Sequence, residues 1–366
     1  MKKLFSILVA LFLMGSLMNT VAQISFSGDV QVRPRYDTKD MGDYGGSSQD
    51  MYYMLRTRLN VKAVLGSGFY AKAQLGTYNY AGYQFTNGIA PGGSQDPLAG
   101  DYLPRPGVNF NQMYLGYKSD VWGFEAGIVS LSGLSNPMLD IHFYPTRMVD
   151  IPWTIMRLAT FTGAKFFVKA GPGSINFMAA KMDNGKYVVD GQDSVLTDTH
   201  DNYTFGLDYA MNFDGWKIQP AIYFTYANDK EAAPMTYGVN FGTPKFSGWA
   251  FGLNFGMTTN SVEDSGEYDG MLVRFKVTGK LGPGSLIAWY DYAKRTDKVV
   301  ASTKSSTEDV DHDYGYLWLA YKWTVAKFDH GAFTIMPRWR MMTHKVTDAK
   351  DFTRNKIECL FIASFK

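Results

Sequence analysis

Cysteine is almost absent from this chain of 366 residues, because Cys359 is its single one. One thiol excludes a framework of intramolecular disulfides. Long apolar runs are also missing after the first 22 residues, so the sequence predicts no transmembrane helix beyond that point. The chain is therefore expected to be neither a disulfide-stapled domain nor a helical membrane protein.

A large excess of positive or negative charge is missing as well, since the chain has 36 Lys and Arg and 34 Asp and Glu. The five histidines show no metal-ligand spacing, so we expect no metal and no other cofactor. No basic patch stands apart from the alternating segments described below, and no nucleic-acid partner is predicted.

The first residues have the pattern of a secretory signal peptide. Two lysines precede a short apolar run, and a small-x-small cleavage pattern ends at Ala22. An anchor helix is disfavoured because the run is short and no stop-transfer flank follows. We therefore expect a cleaved signal peptide at 1–22 and one mature domain at 23–366.

Alternation with a period of two is the main signal in the mature chain. In LRTRLNVKAV, residues 55–64, leucines and other apolar residues alternate with Arg56, Arg58 and Lys62. This is the strand period, in which successive side chains point to opposite faces. In an outer-membrane barrel the apolar face meets lipid and the cationic face lines the lumen.

Sixteen such strands are predicted, separated by short glycine-rich turns and long loops in alternation. The fold class is all-β: a transmembrane antiparallel β-barrel with about 16 strands, short periplasmic turns and long extracellular loops. Turns include 325–332, and loops include 184–201. The predicted strands are 24–37, 50–65, 69–81, 108–118, 122–131, 157–170, 174–183, 202–213, 216–228, 235–242, 249–259, 270–280, 285–295, 312–324, 333–342 and 354–366.

Four of the eight tryptophans share the outward parity of their strands and lie beside short turns. Indole rings favour the membrane–water interface. We predict that a periplasmic aromatic girdle is formed by Trp122, Trp216, Trp249 and Trp323.

The closing strand, KIECLFIASFK, alternates apolar with polar residues and ends in Phe365 and Lys366. With this strand the sequence resembles Gram-negative outer-membrane porins of the sixteen-stranded type, along nearly the whole mature chain. Many porins end on the aromatic residue itself, whereas here a lysine follows. The resemblance implies a homotrimer in the outer membrane, in contact with lipid and lipopolysaccharide and inserted by the barrel-assembly machinery.

Parity places a set of cations on the lumen side, because an arginine facing lipid at mid-bilayer costs roughly 2–4 kcal/mol. Inward carboxylates are fewer: Asp29, Glu125, Asp208, Glu358 and Asp291. Because barrel closure makes the first two and last two strands neighbours, we expect a basic wall that favours anions. The alternative is that these charges pair with each other and with a loop, leaving little selectivity. The predicted pore-lining cations are Arg33, Arg35, Arg56, Arg58, Lys62, Lys72, Arg274, Lys276, Arg338, Arg340 and Lys356.

Loop 131–153 is long and apolar for an exposed segment. The resemblance implies that this loop, after the fifth strand, folds inward and narrows the channel. Asp140 and Asp150 would then face the arginine wall. The alternative is a loop packed on the rim or on a neighbouring subunit.

The loops at 183–201, 263–269 and 306–313 are acidic. We interpret them as a solvated rim. The alternative is a Ca²⁺ site that bridges lipopolysaccharide.

The predicted function is ion and solute transport by passive diffusion: a channel for small hydrophilic solutes with a preference for anions. The first alternative is a substrate-specific channel for phosphate, sugars or oligosaccharides. A plugged structural or adhesive barrel is a second. An outer-membrane enzyme is a third, with His142 near Ser132, Ser135 and Asp140, or with His200. We expect no enzyme and assign no catalytic residue.

Overall fold

The computed structural model of the protein describes residues 23–40, 42, 46–77, 108–130, 160–181, 187–189, 192–194, 202–227, 234–260, 267–298, 309–346 and 351–366. The predicted signal peptide and loop 131–153, with Asp140 and Asp150, lie outside these residues. So do most of the acidic loop 183–201, residues 263–266 of the second acidic loop and residues 306–308 of the third, and these features stay predictions. Within the described ranges, no helix is long and apolar enough to cross a membrane.

Sixteen strands close into one antiparallel barrel, which confirms the predicted fold class. A separate small hairpin comprises β8 (Tyr187–Val189) and β9 (Gln192–Ser194). The barrel strands are β1 (Gln23–Asp40), β2 (Ser47–Gly66), β3 (Phe69–Gly76), β4 (Asn109–Lys118), β5 (Trp122–Ser130), β6 (Thr160–Ala170), β7 (Gly173–Lys181), β10 (Asn202–Phe213), β11 (Trp216–Ala227), β12 (Met235–Gly242), β13 (Trp249–Asn260), β14 (Tyr268–Leu281), β15 (Gly284–Asp297), β16 (Val310–Phe328), β17 (Gly331–Val346) and β18 (Phe352–Phe365).

Closure joins the two ends of the chain. β1 pairs with β2 on one side and with β18 on the other, and every other barrel strand also has two antiparallel neighbours. A closed sheet has no edge with unpaired backbone groups, which is the condition for strands to cross a bilayer. Apart from the closing pair β1 and β18, neighbours in the sheet are also neighbours in sequence, except where the β8–β9 hairpin is bypassed.

The two faces of the barrel wall differ as the alternation predicts. On β1, Val30 and Val32 are exposed outward by 45% and 37%, whereas Gln31 and Arg33 between and beside them are buried inward at 2% and 9%. Large apolar side chains cover the outer face on the other strands too. An apolar exterior around a polar interior is the pattern of a barrel in lipid.

Several strand ends differ from the predictions, and two of the differences change a predicted turn or shorten a strand. The predicted turn at 325–332 is wrong, because β16 continues to Phe328 and only two residues separate it from β17. A β-bulge between Thr324 and Ala326 absorbs one residue, so the ladder continues past the point where the alternation breaks. The predicted strand 69–81 is too long at its end, since β3 stops at Gly76 and Thr77 lies in a bend.

Strands around the long loops extend further than predicted. β1 reaches Asp40 and β2 begins at Ser47, and these two residues are register partners. Backbone hydrogen bonding continues beyond the apolar part of these two strands, because each further residue still pairs with a residue on the neighbouring strand. The β8–β9 hairpin falls within the predicted loop 184–201 and was not predicted.

Candidate functional site: the basic inner wall

The inner face of β1, β2, β17 and β18 carries a dense group of charged side chains, which we call the basic sector. These strands lie side by side because the barrel closes between β1 and β18. Within each strand the members are spaced by even numbers of residues, so all point to the lumen. The basic sector comprises Arg33, Arg35, Arg56, Arg58, Arg338, Arg340, Arg354 and Lys356, with Asp29, Asp37 and Glu358.

Glu358 lies at the centre of the basic sector, and its side chain is fully buried. The register sets it opposite Arg35 on β1 and Arg338 on β17, and both guanidinium groups donate to its carboxylate. Arg340 Nε lies 2.7 Å from Glu358 Oε1, and Arg33 Nε lies 3.7 Å from Oε2. One carboxylate on β18 therefore contacts four arginines, two from β1 and two from β17, the strands on either side of it.

Asp29 holds the two arginines of the LRTRLNVKAV segment. Arg56 Nη2 donates to its Oδ1 at 2.7 Å, and Arg58 Nε donates to its Oδ2 at 2.7 Å. The solvent-exposed fraction of the side chain is 14% for Arg56 and 26% for Arg58. Both cations are thus fixed in direction and still reachable from the lumen.

Asp37 and Arg354 form a further pair that the sequence analysis did not single out. Arg354 donates through Nε and Nη2 to the two Asp37 oxygens at 2.9 and 2.6 Å. Tyr52 links this pair to the centre, since its hydroxyl donates to Asp37 Oδ2 at 2.9 Å and accepts from Arg35 Nη1 at 3.1 Å. Inward parity on β1, β2 and β18 is the signal that could have identified all three.

The charge balance of the basic sector is positive. Its eight cations face three carboxylates, which leaves a formal excess of five positive charges. The alternative, that these charges pair with each other and with a loop and leave little selectivity, describes the ion pairs but not the excess within the described residues. The ion pairs orient the arginines, and the excess sets the sign of the field that the low-dielectric wall focuses into the lumen.

The cation Arg274 on β14 is neutralised. Its Nε and Nη2 donate to the two oxygens of Asp291 at 2.7 and 2.8 Å, and both side chains are buried. Lys276, two residues further, is exposed on the same face, with its Nζ 5.8 Å from the centre of the Trp289 ring. The predicted set of cations therefore divides into the crowded basic sector and members that lie outside it on other strands.

A stacked tryptophan pair connects β15 with β16 inside the barrel. The rings of Trp289 and Trp318 lie 4.6 Å apart at an angle of 11°. Arg338 covers Trp318 with its guanidinium carbon 4.7 Å from the ring centre. Cation–π contacts of this kind hold an arginine in place without neutralising it.

The wall opposite the basic sector is rich in amides, which surround one carboxylate. Asp208 accepts from Asn176 at 2.7 Å and from Gln219 at 2.9 Å, and Gln219 accepts from Asn240 at 3.2 Å. Asn254 continues the row by donating to Asn240. These strands lie about half-way round the barrel from β1. The lumen is thus asymmetric, with crowded cations on one side and a row of amides around Asp208 on the other.

Three of the four predicted girdle tryptophans lie beside short turns, and Trp323 lies five residues before the end of its strand because β16 is longer than predicted. Trp122, Trp216 and Trp249 are the first residues of β5, β11 and β13. Trp122 and Trp323 are exposed outward, whereas the other two are half-buried against neighbouring rings and backbone. Their place at a membrane interface stays a prediction.

Comparison with known proteins gives structural matches only, since no protein-family model and no curated protein sequence matches the chain. An anion-selective porin from Comamonas acidovorans is similar, with a TM-score of 0.58 and 12% identity over 94% of this chain and 100% of that one. The in-vitro folded trimer form of OmpT, an outer membrane protein of Vibrio cholerae, is also similar. Its TM-score is 0.54 and its sequence identity is 11%, over 93% of this chain and 99% of that one. Outer-membrane expressed OmpT of Vibrio cholerae has a TM-score of 0.55 and 10% sequence identity, over 94% of this chain and 99% of that one.

These similarities concern the fold. The chain has the closed sixteen-stranded barrel of outer-membrane porins, so the resemblance noted in the sequence holds for the architecture. The matched proteins themselves are described as an anion-selective porin and as an outer membrane protein.

Proposed function

We propose that the protein is an outer-membrane porin that lets small hydrophilic solutes diffuse passively and prefers anions. The observation that carries the proposal is the excess of five positive charges in the basic sector. Guanidinium groups held by short ion pairs keep fixed positions, so an anion meets a stable positive potential along this wall. The similar porin from Comamonas acidovorans is described as anion-selective, which agrees with this proposal.

The proposal assigns transport, and no catalytic step, to the lumen. In the basic sector the charged groups hold one another in ion pairs, an arrangement that sets an electric field and leaves no group poised as a nucleophile beside a base. A homotrimer is part of the proposal, as is export through a cleaved signal peptide. Contacts with lipid and lipopolysaccharide, and insertion by the barrel-assembly machinery, complete it. Narrowing of the channel by loop 131–153 belongs to it as well.

The test is the reversal potential of the refolded protein in a planar lipid bilayer under a KCl gradient. We expect a steady conductance with a chloride-directed reversal potential. Two variants of the Asp29 group make opposite changes to the wall. Replacing Arg56 and Arg58 with Ser lowers the excess from five charges to three, and Asp29→Asn raises it to six.

The double variant R56S/R58S should therefore move the reversal potential toward potassium, and D29N should move it further toward chloride. Folding of each variant is checked by its heat-modifiable migration in gels. A potassium-directed value for the unmodified protein would overturn the anion preference. A shift in the same direction for both variants would show that the basic sector does not set selectivity.

A further inference from the structure

Two lysines face each other directly across β2 and β3. Lys62 and Lys72 are register partners on the inner face, Lys62 exposed and Lys72 half-buried. Like charges directly opposite in an antiparallel pair are destabilising. The pairing is not loose, because the inward residues one step away, Asn60 and Gln74, are hydrogen-bonded at 2.7 Å. The wall therefore places two lysines directly opposite each other despite the repulsion between their charges.

Within the described part of the chain, neither lysine forms an ion pair with a carboxylate. Glu125, the nearby acid, is already held by Lys165 Nζ at 2.7 Å and by the Tyr70 hydroxyl at 2.9 Å. This group of three lysines and one carboxylate has an excess of two positive charges. Its excess charge is located on Lys62 and Lys72.

Two tyrosines position the ammonium groups. Lys62 Nζ lies 4.9 Å from the centre of the Tyr70 ring, and Lys72 Nζ lies 5.8 Å from that of Tyr114. The two rings meet edge to face, with centroids 6.3 Å apart. Cation–π contact directs each ammonium group and leaves its charge in place. The result is a pair of adjacent cations that are oriented but not neutralised.

This arrangement fits a small anion with two negative charges. Each ammonium group is a compact charge with three rotatable N–H donors, which can follow the oxygens of a tetrahedral oxyanion. One dianion would neutralise both lysines and remove their repulsion. A monoanion would leave one charge uncompensated, so it should bind more weakly.

The position along the barrel places this pair on an anion's path. Lys62 is four residues nearer the short-turn end than Arg58 on the same face of β2, a distance of about 13 Å at the rise of a strand. An anion that leaves the basic sector toward the short turns therefore meets the two lysines next.

We propose that Lys62 and Lys72 form a binding station for small dianionic oxyanions, such as phosphate or sulfate, between the basic sector and the short-turn mouth of the channel. The proposal rests on the proposed function, because it gives a channel for anions a preferred class of solute.

The first experiment measures how inorganic phosphate, added at a pH where it is mainly dianionic, reduces the chloride conductance in a planar bilayer. We expect the concentration of phosphate that halves the current to rise at least about tenfold in K62Q/K72Q, the effect of losing a charge-assisted contact. The matched control is K217Q/K280Q. Lys217 and Lys280 point inward near the short turns of β11 and β14, on the far side of the barrel.

The control should keep the phosphate sensitivity of the unmodified channel. Sulfate should act like phosphate, and acetate should act more weakly. Equal block of the unmodified channel and K62Q/K72Q would overturn the station, as would an equal shift in K217Q/K280Q. Equal potency of acetate would overturn the dianion class.

Failure of the proposed function has a different signature, namely a missing or potassium-directed conductance. In that case, calorimetric titration of the detergent-solubilised barrel with phosphate still tests whether Lys62 and Lys72 bind the anion. We expect clearly more binding heat for the unmodified protein than for K62Q/K72Q, which keeps only the basic sector, and equal heat for the two would refute the station. The double variant should fold at least as well as the unmodified chain, because it removes a repulsion. Absence of binding heat for the unmodified protein would refute the station.

Discussion

Replacing Glu358 with Gln tests whether one buried carboxylate holds the basic sector together. The side chain of Glu358 is fully buried, with Arg340 at 2.7 Å, Arg35 at 3.0 Å and Arg33 at 3.7 Å, besides Arg338. Removal of one partner from a buried ion pair costs about 3–5 kcal/mol. Because one acid serves four arginines, we place Glu358→Gln at the upper end, at about 5 kcal/mol.

The assay is the free energy of unfolding in urea for the refolded barrel in detergent, followed by tryptophan fluorescence. The matched control is D311N. Asp311 accepts from Lys294 Nζ at 2.8 Å, yet both side chains are about 40% exposed, so this pair should leave the free energy unchanged within error. Comparison of the two variants shows whether the loss of free energy comes from the burial of the ion pair or from ion pairing alone.

A second variant shows whether the loss comes from unpaired arginines. In R338Q/E358Q one of the four guanidinium groups is removed together with the acid, so less positive charge stays uncompensated. We expect the double variant to be more stable than E358Q alone, which is a positive coupling between neighbouring sites. An E358Q barrel within about 1 kcal/mol of the unmodified protein would refute the reasoning, since the smallest expected loss is about 3 kcal/mol.

Two further predictions concern the outer face. Cys359, the single cysteine, lies midway along β18 on the outward side, opposite Pro337. In liposomes its thiol should not react with a water-soluble maleimide, and it should react fully after unfolding; full labelling of the folded barrel would contradict a lipid-facing position. A Cβ at Gly279 would overlap the ring of Trp249, so G279A should lower the free energy of unfolding by about 1–3 kcal/mol and change the tryptophan fluorescence. G46A is its control, because nothing lies within 4 Å of the added methyl group, and equal stability of the two variants would argue against the contact.

The alternation of residue types was sufficient to predict which way side chains face. A period of two defines two faces, and the cost of an arginine in lipid decides which is the inner one. For this reason Arg56 and Arg58 point inward as expected, and the strand at 235–242 has the predicted bounds. The inward carboxylates, Glu358 among them, were identified by the same rule.

Strand ends were less predictable, because they depend on partners. Residues 325–328 do not follow a simple alternation, and they are strand because β17 pairs with them across a bulge. Asp40 and Ser47 extend β1 and β2 for the same reason. Local pattern describes one strand, whereas a ladder needs the register of two.

The sequence by itself determined the barrel, its strand count and the side of the wall on which each charge lies, because these follow from the period and from the chemistry of lipid. Only the tertiary structure decided which charges meet. Arg35 and Glu358 are separated by 323 positions in the chain and touch because the barrel closes between β1 and β18. Closure and register set the height of each side chain, and no pattern within a single strand contains that information. The same register places Lys62 against Lys72 and leaves the pair without a carboxylate partner within the described residues.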